Sequence, residues 1–124
     1  MVPRKLSALV GLFMALQTMT WISSPGEAAP SLGMGLLEGI GRSTQIGDFS
    51  SFFFSVTVFC FLGAYLKQPQ WLIAAMIVLG SAAIFRSPAW ISQGADFTTD
   101  FILAEIAMAI LLIVNAYLFN KSQD

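Results

Sequence analysis

The sequence predicts an all-α, multi-pass membrane protein whose four transmembrane helices pack as a bundle. Three observations predict it. Four long apolar runs, Leu6 to Ile22, Phe49 to Leu66, Trp71 to Phe85 and Phe101 to Phe119, fill most of the 124 residues. Hydrophobic residues make up 56% of the chain and charged residues only 10%, whereas a soluble domain carries about 25% charge. A soluble core of this size could not hide so much apolar surface; lipid can. The fourth run, 19 residues from Phe101 to Phe119, is also long enough to cross a hydrocarbon layer about 30 Å thick as a helix. The expected helices cover 6–22, 48–66, 70–86 and 100–119 of one membrane domain, with a short interfacial segment between the first two.

The first run follows Arg4 and Lys5 and is succeeded by Ser23, Ser24, Pro25, Gly26, Glu27, Ala28 and Ala29. A basic start, an apolar stretch and small residues also describe a secretory signal. Its length, together with Ser7, Gly11 and Ala15 at a spacing of four, favours a retained span with a face that another helix can approach closely. Between Pro25 and Gly47 lies a glycine-rich linker containing Gly33, Gly35, Gly39 and Gly41. Gly35 and Gly39 form a G-x-x-x-G outside any apolar span, so they carry little weight as a dimer signal, and no strand precedes them as a phosphate-cradling loop would need. A short helix in the membrane interface, with Glu38 and Arg42 toward water, fits the linker.

The second run begins after Asp48, placed where a first-turn acid stabilises the positive end of a helix. Ser51, Ser55 and Gly63 share one expected stripe of small residues for helix packing. Lys67, Gln68, Pro69 and Gln70 make a turn short enough to force an antiparallel hairpin with the third run. That run should end near Arg86, before Pro88. The fourth run carries Glu105, an acid within a span, which costs about 2.5–3.5 kcal/mol at a helix centre on insertion scales and so wants a partner.

Composition narrows the function classes. A net charge of −1 supplies no basic field for nucleic acid. With no histidine and one cysteine, histidine-ligated haem, the common zinc and copper sets and His-assisted nucleophiles all lack their residues. Cys60, between Phe59 and Phe61, reads as a buried inert thiol. No catalytic residue, cofactor or metal site is expected, and the chain reads as a non-enzyme.

With the amino terminus in the cytoplasm, Arg4, Lys5, Lys67 and Lys121 gather inside, and only Arg42 and Arg86 lie outside. That distribution follows the positive-inside bias and sets both termini in the cytoplasm. Trp21 and Trp90 would then anchor the outer boundary, and Tyr65, Trp71 and Tyr117 the inner one. Arg42, Asp48, Asp96 and Asp100 form an expected outer polar cluster, beside an intramembrane pair of Arg86 and Glu105. The guanidinium fork suits a carboxylate, and either group alone in lipid is expensive. The pair reads first as a staple fixing helix registry, and second as one wall of a cavity for a small molecule, lipid head group or quinone.

Several features resemble the small four-helix bacterial membrane proteins of the DoxX-like group. They are the proline-containing linker after the first helix, Gly63, Ala64 and Tyr65 closing the second, Phe85 and Arg86 closing the third, and Ala104 and Glu105 early in the fourth. Where those relatives open the second helix with a basic residue, this chain has Asp48, and its nearest arginine is Arg42. The resemblance implies a protein of the bacterial inner membrane, in some relatives an accessory subunit of a respiratory or redox assembly. The sequence therefore points first to an accessory or stabilising subunit packed against a larger membrane complex of respiratory, redox or photosynthetic type. A free-standing binder or transporter of a small hydrophobic ligand, lipid or quinone, is the alternative.

Overall fold

The computed structural model describes residues 2–92, 94 and 99–122. Five helices follow one another along the described chain: α1 (Val2–Ser23), α2 (Pro25–Ser31), α3 (Ile40–Leu66), α4 (Pro69–Ser92) and α5 (Thr99–Ser122), with no strand among the described residues. Four of them contain segments long and apolar enough to cross a membrane: Lys5–Ser23, Ile40–Leu66, Pro69–Ser92 and Asp100–Phe119. The protein is an all-α, four-helix integral membrane bundle.

The four long helices alternate in direction. Gly11 of α1 lies against Cys60 and Phe61 of α3, while Trp21, a few turns later, stacks on Phe49 with ring centroids 5.0 Å apart. Contacts that advance on one helix and retreat on the other mean antiparallel packing. The same holds for α4 and α5, where Arg86 meets Glu105 and Gly80 lies near Ala109. The most extensive packing joins α1 to α3 and α4 to α5; α3 with α4 and α1 with α5 meet less. The bundle is thus two tight antiparallel pairs set side by side. We call the end near Ser7, Lys67 and Asn115 the terminal end, and the end near Trp21, Asp48, Arg86 and Glu105 the distal end.

Small residues close the terminal end. A Cβ on Gly11 would lie 3.1 Å from Cβ of Cys60 and 3.2 Å from the Phe61 ring. A Cβ on Gly63 would lie 2.6 Å from Cδ2 of Leu72, which is fully buried and has little room to yield. Lipid is as apolar as leucine, so close fit and interhelical hydrogen bonds must hold such helices together. Asn115 Nδ2 donates to Ser7 Oγ at 3.0 Å, both residues fully buried, and joins α5 to α1. The α3–α4 turn is equally defined. Lys67 ends α3 in the left-handed conformation (φ 55°), Pro69 opens α4 where its missing N–H costs nothing, and Trp71 Nε1 donates to Gln68 Oε1 at 2.9 Å.

Several sequence expectations are corrected. The short helix falls earlier than expected, at Pro25–Ser31, and the stretch from Met34 to Glu38 is non-helical. Gly33 (φ 81°) and Gly39 (φ 60°) bracket that stretch in a conformation other residues resist. Gln45, buried on α3, holds it: Leu37 N donates to Gln45 Oε1 at 2.7 Å, and Gln45 Nε2 donates to the Gly35 carbonyl at 3.2 Å. This anchorage lets α3 start at Ile40, despite Gly41 and Gly47, each worth about 1 kcal/mol against a helix. Asp48 is therefore no helix cap; it lies two turns inside α3.

Nor does Pro88 stop α4, which continues to Ser92. Proline removes one backbone bond, and helices in lipid tolerate that loss. Ser51, Ser55 and Gly63 do not share one packing face. Four residues advance a helix by about 40° beyond a full turn, so twelve carry the stripe well around the axis. Gly63 meets α4, Ser55 is half-buried and Ser51 is exposed. On the α1 stripe Ser7 and Gly11 are buried and Ala15 is half-buried. Trp21 is fully buried inside the bundle rather than anchored at a boundary, whereas Tyr65, Tyr117 and Trp90 are exposed.

Candidate functional site

A cavity of about 510 Å³ lies at the distal end, between the α1–α3 pair and the α4–α5 pair. Its origin is local and steric. Where the terminal end has glycine and serine, the facing positions here are Phe13 on α1, Phe49, Phe52 and Phe53 on α3, and Phe101 on α5. Rings of this size prop the helix pairs apart, and no facing side chain fills the space between them. Met14, Leu79 and Met108 complete an apolar wall. Phe52 and Phe53 meet edge to face with centroids 5.1 Å apart, and Trp21 supports Phe49 from behind. Ser31, the last residue of α2, and Leu32 after it cover part of the space.

Five polar side chains interrupt this wall: Gln17, Ser31, Asp48, Arg86 and Glu105, of which Ser31 is already engaged, its Oγ donating to the Ala28 carbonyl at 2.6 Å. Arg86 Nε donates to Glu105 Oε1 at 2.8 Å, and the guanidinium also lies 5.0 Å above the centre of the Phe101 ring. The helices set this geometry: Phe101 and Glu105 are one turn apart on α5, so both face the same point on α4. The side chains of Arg86 and Glu105 are 33% and 12% exposed, so the pair is neither fully dry nor freely hydrated. That intermediate setting weakens both the desolvation penalty and the attraction. Asp48 is exposed at the cavity's edge, Gln17 is half-buried, and neither makes a side-chain hydrogen bond or ion pair with the described residues.

The structure therefore brings Arg86 and Glu105 together and adds Asp48 to the same cavity. It does not gather the rest of the expected outer cluster. Arg42 is exposed and donates from Nε to the Leu37 carbonyl at 2.9 Å. Asp100 is exposed at the start of α5, and Asp96 lies outside the described residues. Sequence reasoning missed Gln17 and the aromatic lining. Gln17 carried a signal, being the one amide inside the first apolar run. The phenylalanines carried none, since a ring toward a cavity and a ring toward lipid look alike in sequence.

This arrangement can hold a molecule. Its volume falls in the range of small-ligand sites, about 300–1,000 Å³, and the pattern of an apolar wall with a few convergent polar groups is theirs too. Among the described residues no three acids or cysteines converge as a metal site would need. Comparison with protein families, characterised proteins and solved structures finds no match for this chain.

Proposed function

We propose that this chain is a non-catalytic membrane protein that binds a small amphipathic molecule in its distal cavity. One observation carries the reading: an apolar, aromatic-walled space of about 510 Å³ has the Arg86–Glu105 pair set into its side. A pair serving only as a staple would pack against its neighbours on all sides. Here the pair faces open volume, so it fixes the registry of α4 and α5 and also presents polarity to whatever enters. The protein sits in the bacterial cytoplasmic membrane with both termini inside, a placement supported by the lysine and arginine distribution and by the resemblance to DoxX-like proteins.

Membership of a larger membrane assembly is the second reading. The observation favouring it is a row of exposed apolar residues on α1, Leu9, Leu12, Leu16 and Met19. Lipid covers such a row equally well, which puts this reading behind the cavity.

Filling the space tests the proposal. Ala82 lines the cavity from α4, and Ala82→Phe should occupy it. Native mass spectrometry of the intact protein, released from mild detergent, should show a small-molecule adduct on the wild type that the variant lacks. The thermal unfolding of the two should stay close. Identical adducts on both, or a stoichiometric protein partner and no adduct on either, would overturn the proposal.

A further inference from the structure

We infer that the molecule taken into the distal cavity is a lipophilic cation, a substituted ammonium on an apolar body; this rests on the cavity being a binding site. Charge and wall chemistry point the same way. Two carboxylates and one guanidinium line the space, namely Asp48, Glu105 and Arg86. The single cation among them is committed: its Nε–H is held 2.8 Å from Glu105, and its face rests on the Phe101 ring. An anionic head group would find that guanidinium already engaged and would meet the Asp48 carboxylate besides. Asp48, by contrast, has no ion pair among the described residues, lines the cavity and is exposed.

The aromatic wall suits a cation independently of the carboxylates. Ring faces are electron-rich, and quaternary ammonium groups are recognised by converging aromatic side chains. Phe13, Phe49, Phe52 and Phe53 contribute rings from two helices around one volume. A neutral apolar molecule would gain the same dispersion contacts without the electrostatic part. The approach favours cations as well. Glu27, Glu38 and Asp100 are exposed at this end, against Arg42 as the exposed base, and a net negative rim raises the local concentration of cations.

Three probes with one apolar body separate the possibilities: benzyltrimethylammonium, its uncharged isostere neopentylbenzene, and the anion phenylmethanesulfonate. Each is equilibrated by dialysis with the full chain in phosphatidylcholine nanodiscs, and uptake into empty nanodiscs is subtracted. The ammonium should bind saturably, about tenfold or more tightly than the neutral isostere, and the sulfonate should not saturate. Asp48→Asn should cut the ammonium's preference over the neutral probe severalfold, leaving the part the rings supply, while Asp48→Glu should keep the full preference. Ala82→Phe should abolish saturable binding of the ammonium and of the neutral probe. Equal or tighter binding of the neutral or anionic probe, or an unchanged preference in Asp48→Asn, overturns the cation assignment and leaves the cavity reading standing. No saturable binding of any probe overturns the assignment too, and with identical native adducts on wild type and Ala82→Phe it removes the cavity reading with it.

Discussion

At the terminal end, glycine and serine let the four helices touch; at the distal end, five phenylalanines line a space between the same helices. Ser7 and Asn115 form a buried hydrogen bond at the first, while Arg86 and Glu105 form an ion pair beside an open volume at the second. Both ends place polar groups within helices that cross the membrane, yet the neutral pair is fully enclosed and the charged pair borders a cavity. The contrast shows how a short chain can divide its labour. Close contact between small residues supplies dispersion and fixes the bundle, which frees the other end to stay incompletely filled.

If the ends differ in this way, the same truncation should cost different amounts at each. Leu72 and Leu79 are both buried on α4, but Leu72 packs against Gly63 and Leu79 borders the cavity. Leu72→Ala should destabilise by about 3 kcal/mol, within the range for buried leucines. Leu79→Ala should cost about half of that, because one side of Leu79 already faces a void. Chemical or thermal unfolding in detergent measures both, and equal losses would break the comparison.

Glu105→Ala comes next, at about 2 kcal/mol, for it takes the carboxylate away from a partly buried guanidinium. Glu105→Gln should cost less, since the amide oxygen still accepts from Arg86, and adding Arg86→Met to Glu105→Ala should recover part of the loss. A double-mutant cycle reads these differences. Asn115→Leu should remove about 0.6 kcal/mol, the mean for interhelical hydrogen bonds in membranes, and leave ligand binding unchanged. Smallest in stability is Asp48→Asn, within about 0.5 kcal/mol as befits an exposed position. Its signature is in cation binding instead. A large loss of stability in this last variant would make Asp48 a structural residue and sharpen the boundary of the site.

Most of the fold was legible because its signals are coarse. A run of apolar residues long enough to cross a bilayer has few other uses, and the turn at Pro69 left only an antiparallel hairpin. The partnership of Arg86 with Glu105 followed from topology, since alternating helices put both at the same depth. The same logic applied to Ser7 and Asn115 would have paired them, as they lie at matching depths of the other end. What stayed hidden depended on contacts distant in sequence. Gly41 and Gly47 disfavour a helix on propensity alone, and against that preference stand the hydrogen bonds of Gln45 to Leu37 and Gly35 and of Arg42 to Leu37. Trp21 has the composition of an interface anchor, yet its ring stacks on Phe49 in the interior. The cavity was hidden for a related reason: empty space has no letter in a sequence.

Thiol labelling of both ends in one molecule tests the contrast most directly. Cys60 is fully enclosed between α1 and α3 and serves as the internal control, while Ala82→Cys adds a second thiol to the cavity wall. A small methanethiosulfonate reagent applied to the folded protein in nanodiscs should modify residue 82 rapidly and leave Cys60 untouched until the protein unfolds. Equal reactivity at the two positions, or protection of both, would contradict a bundle packed shut at one end and hollow at the other.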